Sequence, residues 1–210
     1  MADMFQKMKD TRRNGNIAEG ILSASEYLDY LPANRKMALT EQELALTEGG
    51  EQFLKRFLSL LSACGKAYDY ILLDAPPSPG MVTVNALAAS DGVLIPTQAE
   101  YLAAKGMEQL LQTVLQIRRM WNPKLQILGI LPTMVNPYTR DGKEVLQLLT
   151  ETYGDSIGIL PVVPYSVRAK EISSRGKSIY QLDRGGKVAE AYSHLVSEIL
   201  MRTESGGQEG

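Results

Sequence analysis

The stretch that decides the fold is AYDYILLDAPPSP, residues 67–79. Its apolar run, Tyr70–Leu73, is too short for a free-standing helix and apolar enough for a strand buried on both faces. The run ends in Asp74, and ligands of open α/β sheets bind in the crevice at the carboxyl ends of the strands. A carboxylate placed there can orient a hydrated Mg²⁺. The sequence therefore predicts a buried strand that carries an acid into a ligand site.

Strand and helix patterns alternate on both sides of this stretch, which specifies a doubly wound, mostly parallel sheet. A proline inside a strand indicates an edge or a bulge. Residues 1–16 read as a polar arm, 17–202 as the α/β domain and 203–210 as a disordered tail. The predicted elements are a strand in YLDYLPAN (27–34), helices over 40–63 with a capping box at Thr40 and Glu43 and a break at Gly49-Gly50, a helix over 81–89, a strand over 92–96, a helix over 103–121, a strand from Leu125, a helix over 140–153, a strand over 157–163 interrupted by Pro161, and a helix over 185–202.

Composition excludes several classes of protein. The 210 residues are 44% hydrophobic and 22% charged, which is ordinary for a globular chain, and the formal net charge of −2 argues against a globally polyanion-binding surface. A single cysteine, Cys64, cannot form an internal disulfide or a C-x-x-C metal pair. No apolar run is long enough to span a membrane, and the N-terminus has no apolar signal-peptide core. Cytoplasmic residence is the default expectation.

The segment from Asp74 to Leu111 carries several motifs in a fixed order: D-x-P-P-S, T-x-N-A-L, L-I-P-T-Q-x-E-Y and K-G. In this order they resemble the Walker B region of the ParA/Soj partition ATPases, relatives of MinD with a deviant Walker A motif. The resemblance continues through GILPTMVNPYT (129–139), VPYSVRAKEISSRGKSI (163–179) and GGKVAEAYSHLVSEIL (185–200). It implies a sheet of the P-loop NTPase type, ATP and Mg²⁺ as cofactors, and Asp74 as the catalytic residue that holds Mg²⁺ through water.

The phosphate-binding loop of that family, of the K-G-G-V-G-K-T type, does not occur in this sequence. The nearest look-alike, Arg175–Ser178, lacks the earlier glycine of G-x-x-x-x-G-K-[ST], because position 171 is Glu171. The chain therefore resembles a family member that has lost its first strand and phosphate loop, and by itself is expected to bind ATP poorly. By the resemblance that strand would lie beside Tyr70–Leu73, so Ile71 and Leu73 would lose a backbone partner.

The base-binding end of the site is expected to be present. By resemblance, the segments Thr133–Asn136 and Val163–Tyr165 flank the adenine, although Tyr165 stands where the family commonly has Arg. Asn136 and Pro164 could equally be turn residues after two strands. The residues assigned by resemblance to the nucleotide are Pro76, Thr133, Met134, Asn136 and Pro164.

A basic segment runs from Tyr165 to Lys187, with six cations against two acids. A cluster of this size suits contact with DNA phosphates without sequence preference, although charge alone equally fits a solvated face. The resemblance favours the DNA interpretation for Arg168 and Lys187 and leaves both interpretations open for the other cations, of which Lys170 and Arg175 are also candidate DNA contacts.

The function implied by the resemblance is plasmid or chromosome partition. ATP would drive a homodimer to coat DNA, a centromere-binding partition protein would be the partner, and the protein would be cytoplasmic and nucleoid-associated. A non-catalytic module that kept the partner or dimer surface is the alternative from another class. MinD-like positioning of cell division is weaker, because the C-terminal residues are polar and acidic and form no membrane anchor.

Overall fold

The computed structural model describes residues 20–33, 37–76, 78, 80–98, 101–136 and 138–206. The predicted arm at 1–16 and the last four residues of the predicted tail lie outside this range. The chain divides into two compact units, the first formed by residues up to Ser90 with Thr113–Leu125 and the second by Asp91–Gln112 with Gln126–Gly210. Among the described residues, none of the helices is both long and apolar enough to cross a membrane.

The first unit holds a small hairpin and three of the helices. Strands β1 (Leu22–Ser25) and β2 (Leu28–Tyr30) pair antiparallel. Helices α1 (Met37–Ala45), α2 (Phe53–Ala63) and α3 (Met81–Ala89) follow, with a 3-10 turn at Gly50–Gln52 before α2. One face of α2 forms a core of this unit through the buried residues Leu54, Phe57 and Leu61. The partly buried Ile21, Leu73 and Ala89 pack against them.

The second unit is built on a parallel strand pair, β3 (Gly92–Gln98) and β4 (Gln126–Thr133). Helix α4 (Tyr101–Met120) connects the two strands along the chain; its residues up to Gln112 belong to this unit and those from Thr113 to the first. Helices α5 (Arg140–Tyr153), α6 (Val167–Arg175), α7 (Ile179–Leu182) and α8 (Lys187–Gly206) follow. A third stretch runs parallel beside β4 and the residues that follow it, and it forms two isolated bridges, Ile130 to Ile159 and Val135 to Pro164, instead of a continuous ladder. This broken pairing fits the prediction of an edge interrupted by Pro161.

Helices cover both faces of this sheet. Ile130 and Leu131 are neighbours in β4, so their side chains point to opposite faces. Ile130 packs with residues of α4 and α5, such as Met107 and Val145, whereas Leu131 packs with Ile179 and with residues of α8. The doubly wound α/β class predicted from the sequence is therefore confirmed.

A bulge in β4 is held by the last helix. The register between β3 and β4 shifts so that Leu128 is the extra residue, and the next residue, Gly129, has a φ of 139° that side-chain-bearing residues avoid. The Arg202 guanidinium of α8 donates to the Leu128 carbonyl and pairs with Glu198 one turn earlier. The C-terminal end of α8 is thus fixed to the sheet by a charged hydrogen bond.

The structure corrects three sequence-based predictions. Tyr70–Leu73 is not a buried strand, because it has no ladder partner in the described part of the chain, and Leu72 is 94% exposed. Thr40 does not cap a helix, since α1 begins three residues earlier at Met37. Helix α8 continues to Gly206, so the first residues of the predicted tail are helical.

Candidate functional site

A pocket of about 320 Å³ lies in the second unit at the carboxyl ends of β3 and β4. This is the edge at which parallel sheets bind their ligands. Three polypeptide segments and the end of β3 form its wall. The lining residues are Gln98, Met134, Asn136, Thr139, Asp141, Gly142, Tyr165 and Lys170.

Met134 follows β4 directly and has a φ of 53°, in the left-handed region. A non-glycine residue held there costs about 1–3 kcal/mol, and such strain clusters at ligand sites. The next residue, Val135, then pairs with the neighbouring stretch: its N–H donates to the Val163 carbonyl at 3.2 Å, and its carbonyl accepts from the Tyr165 N–H at 2.9 Å. The strained residue is therefore held in place by the pairing that follows it.

Asn136 makes a tight turn as well as lining the pocket. Its Oδ1 accepts from the Tyr138 N–H at 3.1 Å, and its carbonyl accepts from the Thr139 hydroxyl at 3.0 Å. Gly142 packs so closely against that carbonyl that an added Cβ would lie 2.5 Å from the oxygen. The turn interpretation and the ligand interpretation of Asn136 are thus compatible, because the side-chain nitrogen is not used in the turn.

Thr133 and Pro164 are near the pocket but do not line it. The Thr133 hydroxyl donates to the Thr97 carbonyl at 3.1 Å, which ties β4 to β3. Pro164 forms the isolated bridge to Val135. Both residues support the pocket wall from behind.

Tyr165 and Lys170 form the opposite wall. The Lys170 ammonium lies 4.8 Å from the centroid of the Tyr165 ring, within the range of a cation–π contact. Ser166 caps helix α6 by accepting from the Ala169 N–H, which places Lys170 one turn into the helix. The pair presents one aromatic ring and one ammonium group to the pocket.

Asp74 and Pro76 belong to the first unit. Asp74 is exposed and follows the unpaired segment instead of a strand. It does not cap α3, because the second N–H of that helix, from Val82, donates to the Glu41 carboxylate at 3.5 Å. The Thr83 hydroxyl of α3 bonds the Pro76 carbonyl at 3.1 Å and the Ser78 carbonyl at 2.7 Å, so the loop after Asp74 is tied to that helix.

The predicted DNA contacts are partly neutralised within the chain. Arg168 pairs with Asp183 at 2.9 Å, and Arg175 pairs with Glu171 at 2.9 Å. Lys187 is exposed at the start of α8. In the described part of the chain, then, the two acids of the basic segment each bind one of its arginines.

The phosphate-loop look-alike is a turn between two helices. Arg175 ends α6, Gly176 is its left-handed C-cap, and Ser178 is the N-cap of α7 in a capping box with Gln181. The Ser178 N–H is used in this capping, since it donates to the Gln181 side chain at 3.0 Å. The interpretation of Arg175–Ser178 as a decoy is consistent with this local structure.

Comparison with known proteins identifies the family. A family profile described as an AAA domain matches residues 3–127. The "Sporulation initiation inhibitor protein Soj" of Bacillus subtilis is 41% identical over 174 residues, which cover 83% of this chain and 67% of Soj. The chain belongs to the ParA/Soj family. The "Chromosome-partitioning ATPase Soj" of Thermus thermophilus is 36% identical over 190 residues, covering 90% of this chain and 73% of that protein.

A solved structure agrees with this assignment. The crystal structure of cobyrinic acid a,c-diamide synthase from Mycobacterium smegmatis, with bound ADP and magnesium, superposes with a TM-score of 0.74 at 30% identity. It covers 90% of this chain, and this chain covers 68% of it. The α/β fold of this ParA/Soj family member, with its parallel sheet, is therefore of the P-loop NTPase type.

Part of the pocket was not predicted from the sequence. Met134 and Asn136 were named as nucleotide-binding residues. Thr139, Asp141 and Gly142 at the start of α5 were not named. The signal was present, because the predicted helix over 140–153 begins directly after the GILPTMVNPYT motif.

Proposed function

We propose that this chain acts as a ParA/Soj-type partition ATPase whose second unit holds the base of an adenine nucleotide. The observation that carries the proposal is the pocket at the carboxyl ends of β3 and β4. Its amide, hydroxyl and carboxylate groups surround one aromatic ring, and this mixture suits a flat heterocycle with both donors and acceptors. The ADP in the cobyrinic acid a,c-diamide synthase structure supports the same ligand class.

The remaining family roles complete the proposal. Asp74 would hold Mg²⁺ through a water molecule, and Pro76 would keep the following loop beside the nucleotide. ATP would promote a homodimer that binds DNA without sequence preference, and a centromere-bound protein would be its partner. The Thermus relative, named a chromosome-partitioning ATPase, supports this role.

The residues present fit a purine better than a triphosphate. Nucleotide phosphates need the N–H groups of a glycine-rich loop at a helix N-terminus, together with a lysine. This sequence contains no G-x-x-x-x-G-K-[ST] motif, and the nearest look-alike is the capped turn between α6 and α7. We therefore propose that the 210-residue chain by itself gains little affinity from the phosphates of ATP.

The test is the ratio of two affinities measured on the same chain. Adenosine and ATP with Mg²⁺ are titrated separately and followed by ligand-observed NMR. Without a phosphate site the two dissociation constants agree within about threefold, whereas two or more charge-assisted hydrogen bonds to phosphate would separate them by about 100-fold or more. A ratio above about 100 would overturn the weak-phosphate proposal.

The other outcomes are equally informative. If adenosine does not bind at millimolar concentration, the base pocket is wrong and the non-catalytic module becomes the better interpretation. If ATP binds much more tightly, Asp74→Asn should weaken ATP with Mg²⁺ and leave adenosine unchanged. Asp155→Asn is the matched control, because Asp155 is an exposed carboxylate of the second unit.

DNA binding is tested through its salt dependence. We propose that Arg168, Arg175 and Lys187 contact DNA phosphates after the two arginines exchange their carboxylate partners for phosphate. Each lost phosphate contact should lower the slope of log affinity against log salt by about 0.9. Arg175→Gln should show this change in fluorescence anisotropy with random duplex DNA, and Arg118→Gln, an exposed arginine of the first unit, should not.

A further inference from the structure

Lys170 lies in the pocket wall, not in an open basic face. Its ammonium sits over the Tyr165 ring at 4.8 Å, and both side chains line the pocket with Asn136 and Asp141. Tyr165 is fixed by its N–H bond to the Val135 carbonyl. The backbone of Tyr165 is thus anchored at the end of the sheet, and Lys170 packs on the ring of that anchored residue.

The phase of helix α6 separates Lys170 from its basic neighbours. An α-helix turns by about 100° per residue, so Arg168 and Arg175 lie within about 20° of each other. Lys170 is about 160° from Arg168 and about 140° from Arg175 around the same axis. A DNA surface that contacts the two arginines therefore faces away from Lys170.

The chemistry of the pocket matches a purine edge. An ammonium group only donates hydrogen bonds, and an ionised carboxylate only accepts them. Lys170 can donate to a ring nitrogen such as N7, and Asp141 can accept from an exocyclic amino group. Pyrimidines have no N7, so this arrangement favours purines.

We infer that Lys170 is a base-recognition residue that binds the purine of a nucleotide, and that it does not contact DNA. The inference rests on the proposed function, because it needs the pocket to hold a base. It reassigns one of the four cations that the basic segment had offered for DNA, and it gives Tyr165 the role of positioning that cation.

Lysine footprinting on the unmodified chain tests the inference. The chain is acetylated with an N-hydroxysuccinimide ester alone, with adenosine, with cytidine and with random duplex DNA, and each lysine is quantified by mass spectrometry. Adenosine should protect Lys170 in proportion to occupancy and leave Lys177 and Lys187 unchanged. DNA should protect Lys187 and leave Lys170 as reactive as before, and cytidine should protect none of the three.

Substitution provides the second readout. Lys170→Met should weaken adenosine binding by about tenfold, the loss expected for one charged hydrogen bond, with DNA affinity unchanged. Lys177→Met, at an exposed cation of the same segment, should leave adenosine binding unchanged. Because Lys170 is itself exposed, its replacement leaves the core intact.

Two failures can be told apart. If adenosine binds the chain but neither protects Lys170 nor is weakened by Lys170→Met, the inference fails and the base pocket stands. If adenosine does not bind at all, the base pocket fails and the inference falls with it. Equal protection of Lys170 and Lys187 by DNA would also overturn the inference.

Discussion

Asn85, the asparagine of the T-x-N-A-L motif, should be a structural clamp of the first unit. Its side chain has no exposed surface. The Oδ1 atom accepts from the Leu54 N–H at 2.9 Å, and Nδ2 donates to the carbonyls of Gly50 and Met81, each at 2.9 Å. Helix α2 has no side-chain cap of its own at Gln52, so Asn85 supplies that cap from another helix.

The cost of Asn85→Ala follows from the groups it leaves behind. The Leu54 N–H would stay buried without its partner, at about 1–3 kcal/mol, whereas the Gly50 carbonyl keeps the Phe53 N–H as a donor. The Met81 carbonyl belongs to the same helix as Asn85 and loses less. We expect the free energy of unfolding to fall by about 1–3 kcal/mol, a substantial part of the 5–15 kcal/mol typical of a domain.

Urea unfolding followed by Trp121 fluorescence measures this loss, because the single tryptophan lies in the same unit. Gln116→Ala is the control: Gln116 is an exposed helical residue of that unit, and its replacement should change stability by less than about 0.5 kcal/mol. Equal shifts of the two unfolding midpoints would refute the clamp.

Asn85→Asp sharpens the test, because a protonated carboxyl can both donate and accept whereas a carboxylate only accepts. Burial raises the pKa of such a carboxyl above its unfolded value, so this variant should recover stability as the pH falls toward 4, while Asn85→Ala should not. A variant that is equally destabilised at pH 7 and pH 4 would argue against the donor role.

Three further predictions concern other contacts. Arg202→Met should leave the Leu128 carbonyl without its charged donor, lower local stability by about 1–3 kcal/mol and speed hydrogen exchange in β4. Asp29 accepts a hydrogen bond from the Tyr68 hydroxyl at 2.8 Å, which lowers the pKa of the Asp29 carboxyl. The stability that this bond contributes is therefore present above pH about 4 and is lost as the pH falls through the folded-state pKa of Asp29. An NMR titration of the Tyr68 ring should show this loss. Gly142→Val should push the pocket turn outward and weaken adenosine binding, since its added carbons would meet a backbone carbonyl.

The matched controls keep these predictions specific. Glu198→Gln removes the half-buried ion pair of Arg202 but keeps the carbonyl contact, so it should cost no more than about 1 kcal/mol. Asp29→Asn should abolish the pH dependence of the Tyr68 ring signal. Unchanged exchange in β4 after Arg202→Met would contradict the role given to that arginine.

Local signals made part of the fold predictable. Helix α5 runs over the predicted residues, Arg140–Tyr153, because Thr139 caps it and its apolar residues recur at helical spacing. Helix α3 likewise matches the prediction over Met81–Ala89. The prediction of a buried strand at Tyr70–Leu73 was wrong, because a strand needs a neighbouring strand to pair with and the sequence of the segment itself does not show whether one is present.

The site was predictable where a motif follows a strand and not where distant residues meet. Met134 and Asn136 were found from the segment after β4. The role of Asn85 was hidden, because its partners Gly50 and Leu54 lie more than 30 residues away. Lys170 was grouped with its basic neighbours because charge counting along a sequence ignores the direction in which a helix points each side chain.

The run Tyr70–Leu73, in which all residues but the half-buried Leu73 are exposed, affects the behaviour of the chain in solution. Backbone N–H and C=O groups along an apolar, β-prone segment attract like segments, and pairing between chains grows with concentration. Aggregation should therefore begin at these four residues, and chaperones that bind extended apolar peptides should recognise the same place. We therefore expect this segment to limit the concentration at which the protein stays in solution more than its net charge of −2 does.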